Sequence, residues 1–313
     1  MAEMIATRDA YGEALIELGN ENKNVVVLDA DLSKSTKTFA FGQKFPDRFI
    51  NVGIAEQNLI GVAAGLSTTG KIPFASTFAI FATGRAFEII RNSVGYPKLN
   101  VKICATHSGI TVGEDGASHQ AIEDISCMRT IPNMTIIVPS DSIETKAAIH
   151  AITKMDGPVY VRLGRPAVPV INDKESYEFE IGKGVTLNEG NDVTIIATGF
   201  MVSEALEAAK ELETEGIKAR VINIHTIKPI DKDLIIEAAK ETGAIITAEE
   251  HNIVGGLGSA VAEVIGENCP VPLKRIGIRD IFAESGKPAE LMKKYGLTGD
   301  DIVEAAISLI DGK

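Results

Sequence analysis

With 313 residues the chain has room for about two domains with cores of their own, and 45% hydrophobic against 24% charged residues excludes a disordered polymer. A formal charge of −12, with no basic stripe or aromatic-interleaved motif, weighs against nucleic acid and anionic membranes as partners. Three cysteines, Cys104, Cys127 and Cys269, form no CxxC pair, and no stretch has the length of a bilayer span or the order of a secretion signal; buried thiols and a cytoplasmic location are expected.

A helix is expected over 8–20, followed by the near-continuous apolar strand 25–28 and the polar loop 29–35. Apolar spacing then predicts a helix over 56–68. The phenylalanines at 78 and 81, three residues apart, are expected to share one face of a helical turn, with a further helix over 84–94. Strands at 101–105, 134–138 and 159–163 lack polar alternation, as strands covered on both faces do. Between the last two, Pro139-Ser140-Asp141 is a start signal for a helix over 142–154.

Residues 171–190 are richer in polar side chains and read as a linker, which divides the chain into domains at 1–170 and 191–313. The second domain repeats the alternation, with strands at 193–197, 219–224 and 244–248 and helices at 201–216, 232–241 and 256–266, and helices close the chain. The fold class is α/β, each domain a mostly parallel sheet flanked by helices. Gly255-Gly256-Leu257-Gly258 opens a helix but lacks the full G-x-G-x-x-G pattern, so tight helix packing or a subunit contact is expected there before a phosphate cradle.

The chemistry concentrates in residues 106–120, where His107, Asp115 and His119 share a loop with glycines at 109, 113 and 116 directly after a strand. Glycine opens backbone angles closed to other residues and allows close approach, while imidazole and carboxylate bind hydroxyls near neutral pH. Ligands on parallel sheets lie beyond the carboxyl ends of the strands, so 29–35, 107–119 and 139–141 could face one crevice. The loop reads as a seat for a polar small molecule.

Three motifs carry a family resemblance: His107 with Gly113-Glu114-Asp115-Gly116 and Ser118-His119-Gln120, the segment Gly53-Ile54-Ala55-Glu56-Gln57-Asn58, and Asp29-Ala30-Asp31-Leu32-Ser33-Lys34-Ser35. On these the chain resembles the C-terminal section of transketolase, comprising its pyrimidine-binding and C-terminal domains. The resemblance implies thiamine diphosphate as cofactor. Its thiazolium carbon loses a proton to its own aminopyrimidine when a carboxyl group hydrogen-bonds the far ring nitrogen, and Glu56, entering an apolar helix, is the implied carboxyl. Phe81 is the implied platform for the aminopyrimidine, with Phe78 beside it and Ile54 and Asp31 near the cofactor. Gly84 departs from the family, where many members carry a tyrosine against the same ring; Arg85 or a partner residue is left to fill that wall. Arg8, Ser35 and Arg165 align with phosphate contacts, and His107, Asp115 and His119 with sugar-hydroxyl contacts. The two histidines also stand with Glu56 in the implied catalytic set.

A Gly-Asp-Gly motif followed at about thirty residues by asparagine, which would hold Mg2+ and the diphosphate, does not occur in this sequence. The resemblance therefore implies an N-terminal transketolase subunit as partner, supplying the magnesium ligands, in an α2β2 assembly acting on sugar phosphates. Three alternatives remain open: a 1-deoxyxylulose-5-phosphate synthase-like enzyme, a 2-oxoacid dehydrogenase β-like subunit, and a non-catalytic assembly subunit.

Overall fold

A computed structural model describes residues 3–312. Strand β1 (Met4–Ala6) runs into helix α1 (Thr7–Glu21), and the fully buried β2 (Val25–Asp29) follows. Two short helices, α2 (Ser33–Thr36) and α3 (Phe39–Lys44), lead to β3 (Phe49–Asn51), and α4 (Glu56–Ser67) to β4 (Ile72–Phe78). Beyond the three-residue α5 (Phe87–Ile89) come β5 (Lys102–Thr106), α6 (Asp124–Arg129), β6 (Thr135–Ile137), α7 (Ser142–Lys154) and β7 (Val159–Arg162). The start signal before α7 works as read: Asp141 caps the helix by accepting a hydrogen bond from Glu144 N at 2.8 Å.

β8 (Ala167–Pro169) returns antiparallel to β1, and the second half begins with β9 (Val185–Asn188) and β10 (Val193–Ala197). It continues through α8 (Met201–Thr214), β11 (Ala219–Asn223), β12 (Thr226–Lys228), α9 (Lys232–Thr242) and β13 (Ile245–Asn252). α10 (Leu257–Asn268), β14 (Leu273–Ile278), α11 (Pro288–Lys294) and α12 (Gly299–Asp311) complete it. Among the described residues the larger sheets run β12-β6-β7-β5-β4-β2-β3 and β14-β13-β10-β11-β9. Each is parallel apart from one edge strand: β12 lies antiparallel to β6, and β9 to β11. The α/β class therefore stands, with β2, β5, β7 and β10 buried along their whole length. No described helix is long and apolar enough to cross a membrane.

Several details differ from expectation. The helix expected over 84–94 is interrupted: only Phe87–Ile89 is α-helical, between wide π-type turns at Phe81–Arg85 and Ile90–Gly95. Phe78 closes a strand instead of sharing a helical turn with Phe81. β4 escaped notice because Pro73 argues against an interior strand, yet β4 lies between β2 and β5. β14 was hidden by Lys274 and Arg275, which an edge strand tolerates. Finally, β12 crosses from the second half into the first sheet, and β9 falls inside the segment read as linker. Of the thiols, Cys104 is buried, while Cys127 and Cys269 are partly exposed.

Candidate active site at the carboxyl end of the first sheet

The segments after β2, β4, β5 and β7 all leave the carboxyl edge of the sheet, which is where parallel sheets place ligands. After β2, buried Asp29 fastens the turn by accepting from Leu32 N (2.6 Å), Thr36 Oγ1 (2.6 Å) and Thr38 Oγ1 (2.9 Å). Burial pushes the Asp29 carboxyl up, and those three donors hold it down. Asp31, exposed and with a φ of 66°, accepts from Asn51 Nδ2 at 2.9 Å.

Arg8, in the first turn of α1, joins this turn to the loop after β5. Its Nη1 donates to the Ser35 carbonyl at 3.1 Å and meets His107 Nε2 at 3.1 Å. A guanidinium only donates, so Nε2 must accept and the imidazole proton sits on Nδ1, which lies 2.9 Å from Thr106 Oγ1. His107 is 3% exposed, and burial first, then Arg8, Arg165, His119 and Lys37, drive its pKa down to about 3. The ring is thus neutral throughout the physiological range. Lys37, which the sequence reading did not single out, belongs to this cationic group and pairs with Asp9 at 2.8 Å. Arg165 is bonded to the same loop through the Val112 carbonyl and the Glu114 carboxylate.

From His107 the contacts continue without a gap. Its ring stacks on Phe78 at 3.8 Å between centroids, and Phe78 stacks on Phe81 at 5.7 Å and 17°. His119 meets the edges of both phenylalanines, at 6.4 and 5.3 Å. The Arg85 guanidinium lies 4.1 Å from the Phe81 centroid, and its Nη1 reaches Glu56 Oε1 at 2.9 Å. Glu56, in the first turn of α4, is 5% exposed. Its neighbourhood on the chain is open: Ile54 is 77% exposed, Gln57, Gly84 and Arg85 are exposed, and a Cβ on Gly84 would meet nothing within 4 Å. Sequence-selected Glu56, Phe78, Phe81, His107, His119, Arg8 and Ser35 therefore form one string of contacts. Asp115 is exposed on the loop, apart from that string.

The loop glycines at 109, 113 and 116 take up the expected left-handed angles, but what lies close to Gly109 and Gly116 is protein. Gly109 has a φ of 73°, and a Cβ there would lie 2.2 Å from Glu250 Oε1; at Gly116 it would lie 2.4 Å from Ser285 Oγ. Close approach is thus made by the second domain. Glu250 accepts from Thr111 N at 2.6 Å, and Gln120 Nε2 donates to the Glu284 carbonyl at 3.1 Å. Burial raises the Glu250 carboxyl, against Arg162 and the Thr111 amide, which lower it. Beneath the loop, Arg162 bonds Asp124 at 2.8 Å and the Glu250 carbonyl at 2.9 Å. The neighbouring Glu249 caps α10 by accepting from Leu257 N (2.6 Å) and Gly258 N (2.8 Å). That carboxylate fills the anion seat at the helix N-terminus, so the glycine cluster serves close packing.

These groups meet the demands of an aminopyrimidine: an aromatic face and a shielded carboxyl beside it. The guanidinium now between Phe81 and Glu56, a flat hydrogen-bonding cation, satisfies the same pair. Among the described residues no cluster of three or more His, Cys, Asp or Glu side chains is placed to hold a metal ion.

Comparison with known proteins agrees with this geometry. Residues 3–170 match the family model of the transketolase pyrimidine-binding domain, and 182–302 that of the transketolase C-terminal domain. The chain belongs to the transketolase family. A solved structure described as an inactive β4 tetramer of a split-gene transketolase superposes with a TM-score of 0.92 at 59% identity, covering 98% of this chain and 99% of that one. The 6-deoxy-6-sulfo-D-fructose transketolase subunit of Clostridium sp. (strain MSTE9) is 49% identical over 98% of this chain and 95% of its own length. Human transketolase is 38% identical over 99% of this chain but only 50% of its own length. This transketolase-family chain therefore corresponds to the C-terminal section of the longer enzyme.

Proposed function

We propose that this chain is the C-terminal subunit of a two-chain transketolase, which transfers a two-carbon ketol unit from a ketose phosphate to an aldose phosphate. One observation carries the reading: a buried carboxyl, Glu56, lies at an open edge of the molecule, joined through Arg85, Phe81 and Phe78 to the two histidines of the loop after β5. When bound, thiamine diphosphate supplies the carbon nucleophile.

The roles of the side chains follow from their surroundings. Glu56 holds a proton at the pyrimidine ring nitrogen, in a position shielded from bulk water. Phe81 and Phe78 cover the ring face, with Ile54 and Asp31 at the margin towards a second chain. His107 is neutral at working pH and fixed by Arg8 and Thr106, so it orients substrate oxygen atoms and is a poor proton donor. His119 is only half-buried and touches both rings, which leaves it the proton-moving role near the reacting carbons. Asp115 accepts from sugar hydroxyls. Arg8, Ser35 and Arg165 seat the anionic end of the sugar, for which a planar guanidinium fork is suited. The sulfonated sugar in the name of the Clostridium relative fits such a seat equally well, so an anionic-tailed ketose is the substrate class and its phosphate the first choice.

The diphosphate and Mg2+ are assigned to an N-terminal partner subunit carrying the Gly-Asp-Gly and asparagine motif, two copies of each chain forming α2β2. Two facts support this division: the match covers half of human transketolase, and the chain of the split-gene relative has the same extent as this one. The test mixes the purified chain with a chain carrying the N-terminal domain, thiamine diphosphate and Mg2+, and follows ketol transfer from xylulose 5-phosphate to ribose 5-phosphate. Activity is expected in the mixture alone. Full turnover by this chain unaccompanied would overturn the proposal.

A further inference from the structure

Arg85 holds a position that the proposed function leaves unexplained. Its planar guanidinium sits over the Phe81 ring, 4.1 Å from the centroid, and donates to Glu56 Oε1 at 2.9 Å. Among the described ion pairs this is the one Glu56 makes. A pyrimidine that stacks on Phe81 and bonds Glu56 must occupy the space this guanidinium fills, since one flat group already makes both contacts. The two cannot be present together.

We propose that Arg85 is a stand-in for the aminopyrimidine: in the chain without cofactor it neutralises Glu56 and covers Phe81, and it must swing out before cofactor is bound. The inference rests on the thiamine reading above and adds a competing group built into the chain itself. Three features suit Arg85 to the task. A buried carboxylate without a partner is costly, so occupation of the slot protects the chain before assembly. The side chain is 52% exposed, so its charge can return to water at small cost. Gln57 Nε2 bonds the Arg85 carbonyl at 3.2 Å, and Gly84 beside it faces open space, so the backbone stays in place while the side chain has room to leave.

The departure at Gly84 leaves open space beside Arg85, since a Cβ there would meet nothing within 4 Å. Arginine and cofactor then exchange on one carboxyl, and the apparent affinity for cofactor is reduced by the fraction of chains in which the slot is filled by Arg85.

The test compares wild type, Arg85→Ala and Arg85→Lys, each combined with the N-terminal-domain chain, by titration calorimetry of thiamine diphosphate at saturating Mg2+, a readout independent of turnover. Arg85→Ala is expected to bind about five- to tenfold tighter, as removal of a half-exposed ion pair and a cation–π contact implies. Arg85→Lys, which can pair with Glu56 but has no flat face, is expected in between. Near-ultraviolet circular dichroism checks folding; if the alanine variant is misfolded, the lysine variant against wild type must show the same sign. Wild-type binding with equal or weaker binding by the variants overturns the stand-in alone, whereas no binding by the wild-type complex overturns the thiamine reading and the stand-in with it.

Discussion

The loop after β5 and the edge around Glu56 lie within a few side chains of each other and are built in opposite ways. The loop is braced by the second domain: Gly109 lies against Glu250, Gly116 against Ser285, and Gln120 bonds the Glu284 carbonyl. The edge exposes Ile54, Gln57, Gly84 and Arg85 around a single buried acid. The proposed sugar seat can be finished within one chain, since it lies on a loop that the second domain holds in place. The proposed cofactor seat, which opens on solvent, is to be finished by something else, and the Arg85–Glu56 pair is what the lone chain puts there.

The braced side offers the largest effect. Gly109→Ala forces a side chain into a left-handed backbone and into the Glu250 carboxylate, and should cost about 2–3 kcal/mol in urea unfolding. The next effect comes from pH and is read as a slope. Because the folded-state pKa of His107 is lowered to about 3 from an ordinary 6.5, the unfolded chain takes up a proton that the folded chain refuses. The contribution is fully favourable above pH 6.5 and is lost as pH falls towards 3. His107→Asn should flatten the stability profile over that window by up to about 1.4 kcal/mol per pH unit relative to wild type. The smallest effect is expected at the open edge: Gly84→Ala should change stability by no more than about 0.5 kcal/mol, because its new methyl group meets nothing. If Gly84→Ala proved as damaging as Gly109→Ala, the contrast between the two regions would not hold.

Much of this arrangement was legible in the sequence wherever chemistry and local signal coincided. The two histidines, the acidic helix start at Glu56 and the Asp141 cap announce themselves through residue type and spacing. What stayed hidden depends on partners distant in sequence. Gly109 and Gly116 were read as openings for a ligand, because nothing local reveals that Glu250 and Ser285 approach them. Glu250 lies 139 residues from the amide it binds, and the sequence reading assigned the second domain no part in the site. Arg85 was named as one way to fill the wall left by Gly84, but its ion pair with Glu56 requires α4 and the turn after β4 to be neighbours. The wide turns at 81–85 have no spacing signature, and Pro73 concealed the strand that delivers them.

The most direct measurement is the ketol-transfer rate of the assembled enzyme with Glu56→Ala, alongside size-exclusion analysis of the assembly. The account predicts an intact complex whose rate falls by about 10²–10⁴-fold, the usual worth of a positioned acid–base group. An intact complex that keeps the wild-type rate would contradict it and leave this chain a scaffold.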